Sequence, residues 1–377
     1  MSKKNQILLF ALNLILFSHF LCGDIIGQEK PSVTFEKVST IKGDDENFIR
    51  SPIEIFAHND LVYIADMSDM KIKVFKVNGE FVRSFGNRGR GPGEFQHFTK
   101  LWLNQDNNLV VVDFFNSKMA FFNTTGEYIS EEKLDIRKIQ WPRHFEIVNE
   151  EQTLVKYSIK PDSKKVFHIW DKNFTSIDYE FSLPEDLEYD ETLKNMLLGI
   201  NVGGYSSIHN EKLFHAPYFY EGKIYTTELS KENTPRIWTA LEGYATKGAS
   251  YRELRTNEAL QNDDQERIYD YQINTSGQKR ISFRLNNGTN GLFTTNNGRI
   301  AHLFEITDGD QKRQGVQVFS STGKVFGHTF YNSKTIRDDL YTLIKDYPKT
   351  MDEKNRVYSF NYQGEDPVIN VYQLSVN

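Results

Sequence analysis

Leu61-Val62-Tyr63-Ile64-Ala65-Asp66, then Lys71-Ile72-Lys73-Val74-Phe75, then Asn78-Gly79-Glu80-Phe81-Val82 is the stretch that decides the fold, because it returns downstream. Its counterpart runs Leu109-Val110-Val111-Val112-Asp113, Met119-Ala120-Phe121-Phe122 and Thr125-Gly126-Glu127-Tyr128-Ile129. Asp66 and Asp113, Phe75 and Phe122, and Gly79 and Gly126 are each 47 residues apart, and a weaker third copy places Ile169 and Asn173 another 47 along. Self-similarity at such a period indicates a propeller or a solenoid.

Within each copy, apolar runs of strand length alternate with turn signals such as His58-Asn59-Asp60, Asn78-Gly79 and Gln105-Asp106-Asn107-Asn108. Asn-Gly supplies the positive φ angles of tight hairpin turns, so each copy reads as consecutive hairpins. Four strands per unit make a propeller blade. Six units follow along the chain, at about 50–86, 98–134, 143–181, 201–242, 281–330 and 340–376. The last shows only three strands, and Ser32 to Gly43, with Val33, Phe35, Val38 and Ile41, can supply its outer strand. The expected fold is therefore all-β: a six-bladed β-propeller of four-stranded antiparallel blades, in which an N-terminal strand closes the last blade and removes the exposed seam.

Met1 to Gly23 has the parts of a secretory signal: Lys3 and Lys4, then the mostly apolar run Ile7 to Leu21, then Gly23. The expected layout is a leader over 1–23, a short linker over 24–31 and one propeller domain over 32–377, exported to the periplasm, the outer membrane or the exterior of a bacterium. Cys22 is the only cysteine, so the folded domain holds no internal disulfide. Cys22 also stands where a lipoprotein carries its acylated cysteine, although His19-Phe20-Leu21 makes a poor lipobox. Lipidation of Cys22 and ordinary leader cleavage both stay open, and a lipid anchor is the sole membrane attachment expected.

Lys and Arg total 45 against 51 Asp and Glu, a formal charge of −6 that becomes −8 once Lys3 and Lys4 leave with the leader. With no Lys/Arg-rich run, this excludes a nucleic-acid partner. A monomer is expected.

Lys71 to Phe95, KIKVFKVNGEFVRSFGNRGRGPGEF, resembles an NHL repeat with its linking loop, and Lys212 to Gly243 is similar to a fourth blade of the same kind. The chain thus resembles secreted or lipid-anchored six-bladed propellers of bacteria, related to NHL-repeat and TolB-like propellers. The resemblance implies the fold and no particular activity.

In a propeller the b-to-c loops and the d-to-a links share one face. That face is expected to carry Asp66 to Met70, Phe114 to Lys118, the glycine-rich link Asn87 to Phe95, the insertions Ser182 to Asn201 and Gly243 to Arg280, and a helical-looking Thr335 to Tyr347. The candidate ligand-binding residues are Arg88, Arg90, Asp66, Asp113 and Lys118. Glycine N–H groups with two arginines suit a carboxylate or a phosphate, yet the favoured reading of the same loop is a blade linker with Phe95 plugging the core. Asp66 and Asp113 end equivalent strands and can line a channel, or can cap the following turn through backbone N–H groups. No catalytic residue is assigned: no Gly-x-Ser-x-Gly, His-Glu-x-x-His or His-x-His is present. No cofactor is predicted, with a channel calcium or zinc left open. The expected function is binding or scaffolding of a protein, peptide or glycan, and the alternative is an envelope lyase or hydrolase using a cation in the channel.

Overall fold

The computed structural model describes residues 32–135, 142–157, 165–172, 174–184, 204–218, 220–229, 237–244, 251–255, 269–273, 279–285, 287–308, 311–335 and 347–377. Residues 1–31 with the expected leader and Cys22, most of the insertions 182–201 and 243–280, and 336–346 of the helical-looking stretch lie outside them.

Strand β1 (Val33–Ile41) comes first, and then blade one follows as β2 (Pro52–His58), β3 (Leu61–Asp66), β4 (Lys71–Lys76) and β5 (Phe81–Phe85). The link to blade two contains two short parallel strands, β6 (Asn87–Arg88) and β7 (Glu94–Phe95). Blade two is β8 (Phe98–Leu103), β9 (Leu109–Asp113), β10 (Lys118–Phe122) and β11 (Tyr128–Lys133), and blade three is β12 (Pro142–Asn149), β13 (Gln152–Tyr157), β14 (Lys165–Asp171) and β15 (Ile177–Ser182). Blade four is β16 (Gly204–His209), β17 (Lys212–Pro217), β18 (Lys223–Glu228) and β19 (Thr239–Glu242). After an inserted sheet of β20 (Tyr251–Arg255), β21 (Tyr269–Ile273) and β22 (Lys279–Leu285) comes blade five, made of β23 (Gly288–Thr294), β24 (Ile300–Asp308), β25 (Gln311–Phe319) and β26 (Val325–Thr335). Blade six is β27 (Tyr347–Met351), β28 (Arg356–Gln363) and β29 (Asp366–Val376), with β1 as its outer strand.

Six four-stranded antiparallel sheets form a six-bladed β-propeller. The second strands of blades one and two, β3 and β9, are almost wholly apolar because they are covered on both faces. In β3, Val62 and Ile64 pack with Ile369 and Val371 of blade six, while Tyr63 and Ala65 pack with Leu101 and Val111 of blade two. That alternation is the period-two geometry of a strand set between two neighbours. The ring closes as the sequence predicts: β1 pairs with β29 from Val33↔Val376 to Ile41↔Ile369, and Ser32 and Asn377 exchange backbone hydrogen bonds of 3.2 and 3.1 Å.

Two sequence expectations shift. Blade five begins at Gly288 rather than near residue 281, because β22 pairs with β20 and β21 in the inserted sheet and not with the blade. The third repeat is displaced by one further residue. Trp170, not Ile169, sits at the register irregularity that Phe122 occupies in blade two, and Phe174 makes the turn that Gly126 makes there. The Phe174 amide donates to the Asp171 carbonyl (3.0 Å) as that of Gly126 does to Asn123 (2.9 Å). Gly79, Gly126 and Gly323 hold these turns at φ of 92°, 90° and 87°, whereas Phe174 holds its own at 55°, strained for a bulky residue. Its ring packs against Trp170 and Phe145 in return.

Candidate functional site

The inner strands enclose a channel of about 710 Å³ to which all six blades contribute, a size that suits a small-molecule pocket. Five of the six inner strands carry a register irregularity at the same place: Pro52/Glu54, Phe98/Lys100, Pro142/His144, Thr289/Gly291 and Pro348/Thr350. A bulge bends a strand and re-aims its side chains. Here it brings Glu54, Lys100 and His144 to the wall at one level, while the irregularity of blade six falls at Lys349.

Part of this wall satisfies itself. Lys100 Nζ lies 2.9 Å from Glu54 Oε1, joining blades one and two. His144 Nε2 lies 2.9 Å from Glu146 Oε2, and Glu146 Oε1 accepts from the Ile208 amide (2.6 Å) and the Ser207 hydroxyl (3.2 Å) of blade four. Burial lowers the His144 pKa, Glu146 opposes that, and Lys156 and Lys100 add to it, so the ring is neutral and its Nε2–H donates to Glu146.

Two other cations remain. Lys156, directly across the sheet from His144 and 3% exposed, donates its Nζ to the Gly204 carbonyl of blade four. Burial pulls its pKa down to about 7, with Glu146 opposing. Lys349 of blade six lies with Nζ 5.2 Å from the centre of the Phe360 ring. Its side chain is open to the lumen yet walled by protein, which lowers its pKa. Among the described residues, neither lysine has a carboxylate within 4.0 Å.

The residues singled out from sequence lie elsewhere. The Asp66 carboxylate, fully buried, accepts from the amides of Arg50 (2.9 Å), Ser51 (3.1 Å) and Ser68 (2.9 Å), from the Ser68 hydroxyl (2.7 Å) and from Lys73 Nζ (3.0 Å). Burial raises its pKa, but the bonds from Ser68, Arg50 and Lys73 together outweigh that and hold it low. Asp113 repeats the pattern with the amides of Gln96 (2.6 Å), His97 (3.2 Å) and Asn116 (3.0 Å). Each aspartate ties the chain entering its blade to the turn after its own strand. Lys118 is buried between the Gly91 carbonyl and Glu131, each at 2.7 Å.

The glycine-rich link holds a carboxylate, and it belongs to the chain itself. Glu94 Oε2 accepts from the Gly91 amide (2.8 Å), and a Cβ on Gly89 would lie 2.0 Å from that oxygen. Phe95 is fully buried in the core. Arg88 and Arg90 stay exposed, with Arg88 Nη2 3.3 Å from the Met67 carbonyl.

A family model described as 6-bladed beta-propeller, DUF5128, matches residues 32–278. The chain belongs to this DUF5128 family. The DUF5128 match stops before blade five, yet residues 288–376 complete the ring. A solved member of the duf4221 family from Bacteroides vulgatus is similar at 12% identity and TM-score 0.56, over 93% of this chain and all of that one. A protein of Bacteroides fragilis NCTC 9343 proposed to be exported is similar at 12% identity and TM-score 0.51, over 93% and 96% of the two chains. At that identity both speak for the fold alone. None of the curated proteins matches the chain in sequence.

In this DUF5128 chain, sequence reasoning singled out none of Glu54, Lys100, His144, Glu146, Lys156 and Lys349. A signal did exist. Inner strands β2, β8 and β12 open Pro52-Ile53-Glu54, Phe98-Thr99-Lys100 and Pro142-Arg143-His144, and β27 opens Tyr347-Pro348-Lys349, each placing a charged or titratable residue within two positions of the strand start.

Proposed function

We propose that the protein is an exported binding module of the bacterial envelope that receives the anionic part of a peptide, a glycan or a partner protein in its channel. The carrying observation is the pair Lys156 and Lys349, two ammonium groups on the channel wall with no carboxylate within 4.0 Å among the described residues. An enclosed cation without a counter-charge costs free energy, and a ligand anion offsets that cost. Arg88 and Arg90, on the face of the b-to-c loops, are proposed as outer contacts for a ligand too large for the channel. The leader pattern of Met1 to Gly23 supports export, and the NHL-like reading of Lys71 to Phe95 belongs to the same proposal.

The enzyme reading needs carboxylates or imidazoles free to hold a cation. Glu54 and Glu146 are instead taken up by Lys100, His144, Ser207 and the Ile208 amide, and the lysines repel a metal ion. Among the described residues, no three of His, Cys, Asp and Glu come together as a metal site.

Titration of the purified protein with acidic oligosaccharides and acidic peptides, followed by calorimetry, tests the proposal. Saturable binding that weakens at least tenfold in Lys349→Met is the expected result. Binding that is unchanged in Lys349→Met, or binding confined to uncharged ligands, would overturn it.

A further inference from the structure

Lys156 differs from the other channel lysines in what surrounds it. Lys100 has Glu54, and Lys349 is open to the lumen, whereas Lys156 is buried with the Gly204 carbonyl as its hydrogen-bond acceptor. The groups facing it are few. On β12 these are His144 and Glu146, which hold each other at 2.9 Å. From β8 comes Lys100, already paired with Glu54. On β14, Phe167 stands directly opposite Lys156, and Lys165 beyond it lies 2.7 Å from Glu180. From blade four, Ser206 bonds His215 at 3.1 Å. Each carboxylate near Lys156 is thus engaged elsewhere, and burial pulls the lysine pKa down to about 7.

The channel wall carries Lys100, Lys156 and Lys349 against Glu54 and Glu146, one positive charge in excess when all are ionised. A single monoanion balances that excess, and a dianion exceeds it. Resting on the channel-binding reading above, we propose that the group received in the channel is a carboxylate and that it binds together with one proton, taken up by Lys156. The Lys156 amine gains a proton from solvent, the carboxylate arrives ionised, and the two end as an ion pair in a poorly solvated wall, where such pairs are strong. Burial without a carboxylate partner already sets Lys156 to release its proton near pH 7 in the empty channel.

The test is calorimetry of the purified protein with sodium benzoate, and separately with inorganic phosphate, at pH 8 in two buffers of different ionisation enthalpy. The expected result is benzoate binding that takes up close to one proton and weakens nearly tenfold from pH 8 to pH 9, with phosphate weaker than benzoate. Lys156→Arg, which keeps the charge and cannot titrate here, should bind benzoate with no proton uptake and equal affinity at pH 8 and 9. Lys349→Met should lose affinity and retain the uptake. Circular dichroism and thermal melts confirm that each variant folds. Benzoate binding without proton uptake, or uptake that persists in Lys156→Arg, would overturn this inference and leave the channel-binding reading standing. Phosphate binding more tightly than benzoate would overturn the carboxylate assignment. Saturation by neither anion at any pH would overturn both inference and reading.

Discussion

The link between blades one and two and the wall of the channel hold similar residues to opposite effect. In the link Glu94 fills the glycine pocket, and in the blades on either side Lys73 of β4 meets Asp66 of β3 and Lys118 of β10 meets Glu131 of β11 and the Gly91 carbonyl, so charge closes on itself and the loop is fixed. In the channel, Lys156 and Lys349 have no carboxylate within 4.0 Å among the described residues. A run rich in glycine and arginine can be scaffold, and an inner strand that looks apolar can carry the recognising charge. Exposure alone does not separate the two cases, but the state of pairing does.

The largest expected effect breaks the scaffold side. Asp66→Ala leaves the amides of Arg50, Ser51 and Ser68 without their acceptor and leaves the buried Lys73 with only Asp69 and the Phe48 carbonyl, which together should cost about 3–5 kcal/mol in urea unfolding. A loss below about 1 kcal/mol would mean that the aspartate is not a structural tie.

The channel side predicts the opposite sign. Lys156→Met removes a buried cation with no carboxylate partner and keeps its length, so at pH 7 or below it should stabilise the fold by about 1–4 kcal/mol while weakening anion binding. The gain depends on pH. An unfolded lysine keeps its proton to about pH 10.4, whereas folded Lys156 releases it near 7. The unfolded chain therefore holds more protons across that interval, and parent stability rises with pH through it. The advantage of Lys156→Met should shrink steadily from pH 7 to pH 9.5 in urea midpoints measured side by side. A constant gap would show that Lys156 is not burdened by burial of its charge.

The smallest effect concerns the exposed arginines. Arg88→Ala with Arg90→Ala should change stability by no more than about 0.5 kcal/mol. The double variant should weaken an anionic oligosaccharide or peptide a few-fold by calorimetry and leave benzoate unaffected. Unchanged affinity of the double variant for the oligosaccharide or peptide would remove the arginines from the site.

Much of the fold was legible because a blade is a local object. The runs Leu61 to Asp66 and Leu109 to Asp113 and the turns at Gly79 and Gly126 announce themselves through nearest-neighbour patterns, and four strands within about 40 residues follow from hairpin chemistry. The seam was legible as well, because three strands in the last unit left one place for Val33 to Ile41. The displaced third repeat was missed because Phe174 stands where φ favours glycine, an exchange made acceptable by its packing on Trp170 and Phe145, which strand spacing does not reveal.

By itself, then, the sequence determined the all-β class, the number of blades and the closing strand, since each rests on period and turn chemistry. Only the tertiary structure decided the candidate site. Glu54, Lys100, Lys156 and Lys349 lie on four different blades and meet when the ring closes, and strand bulges help to aim them inward. Whether each cation is paired depends on distances across blades, and no pattern within one blade encodes those distances.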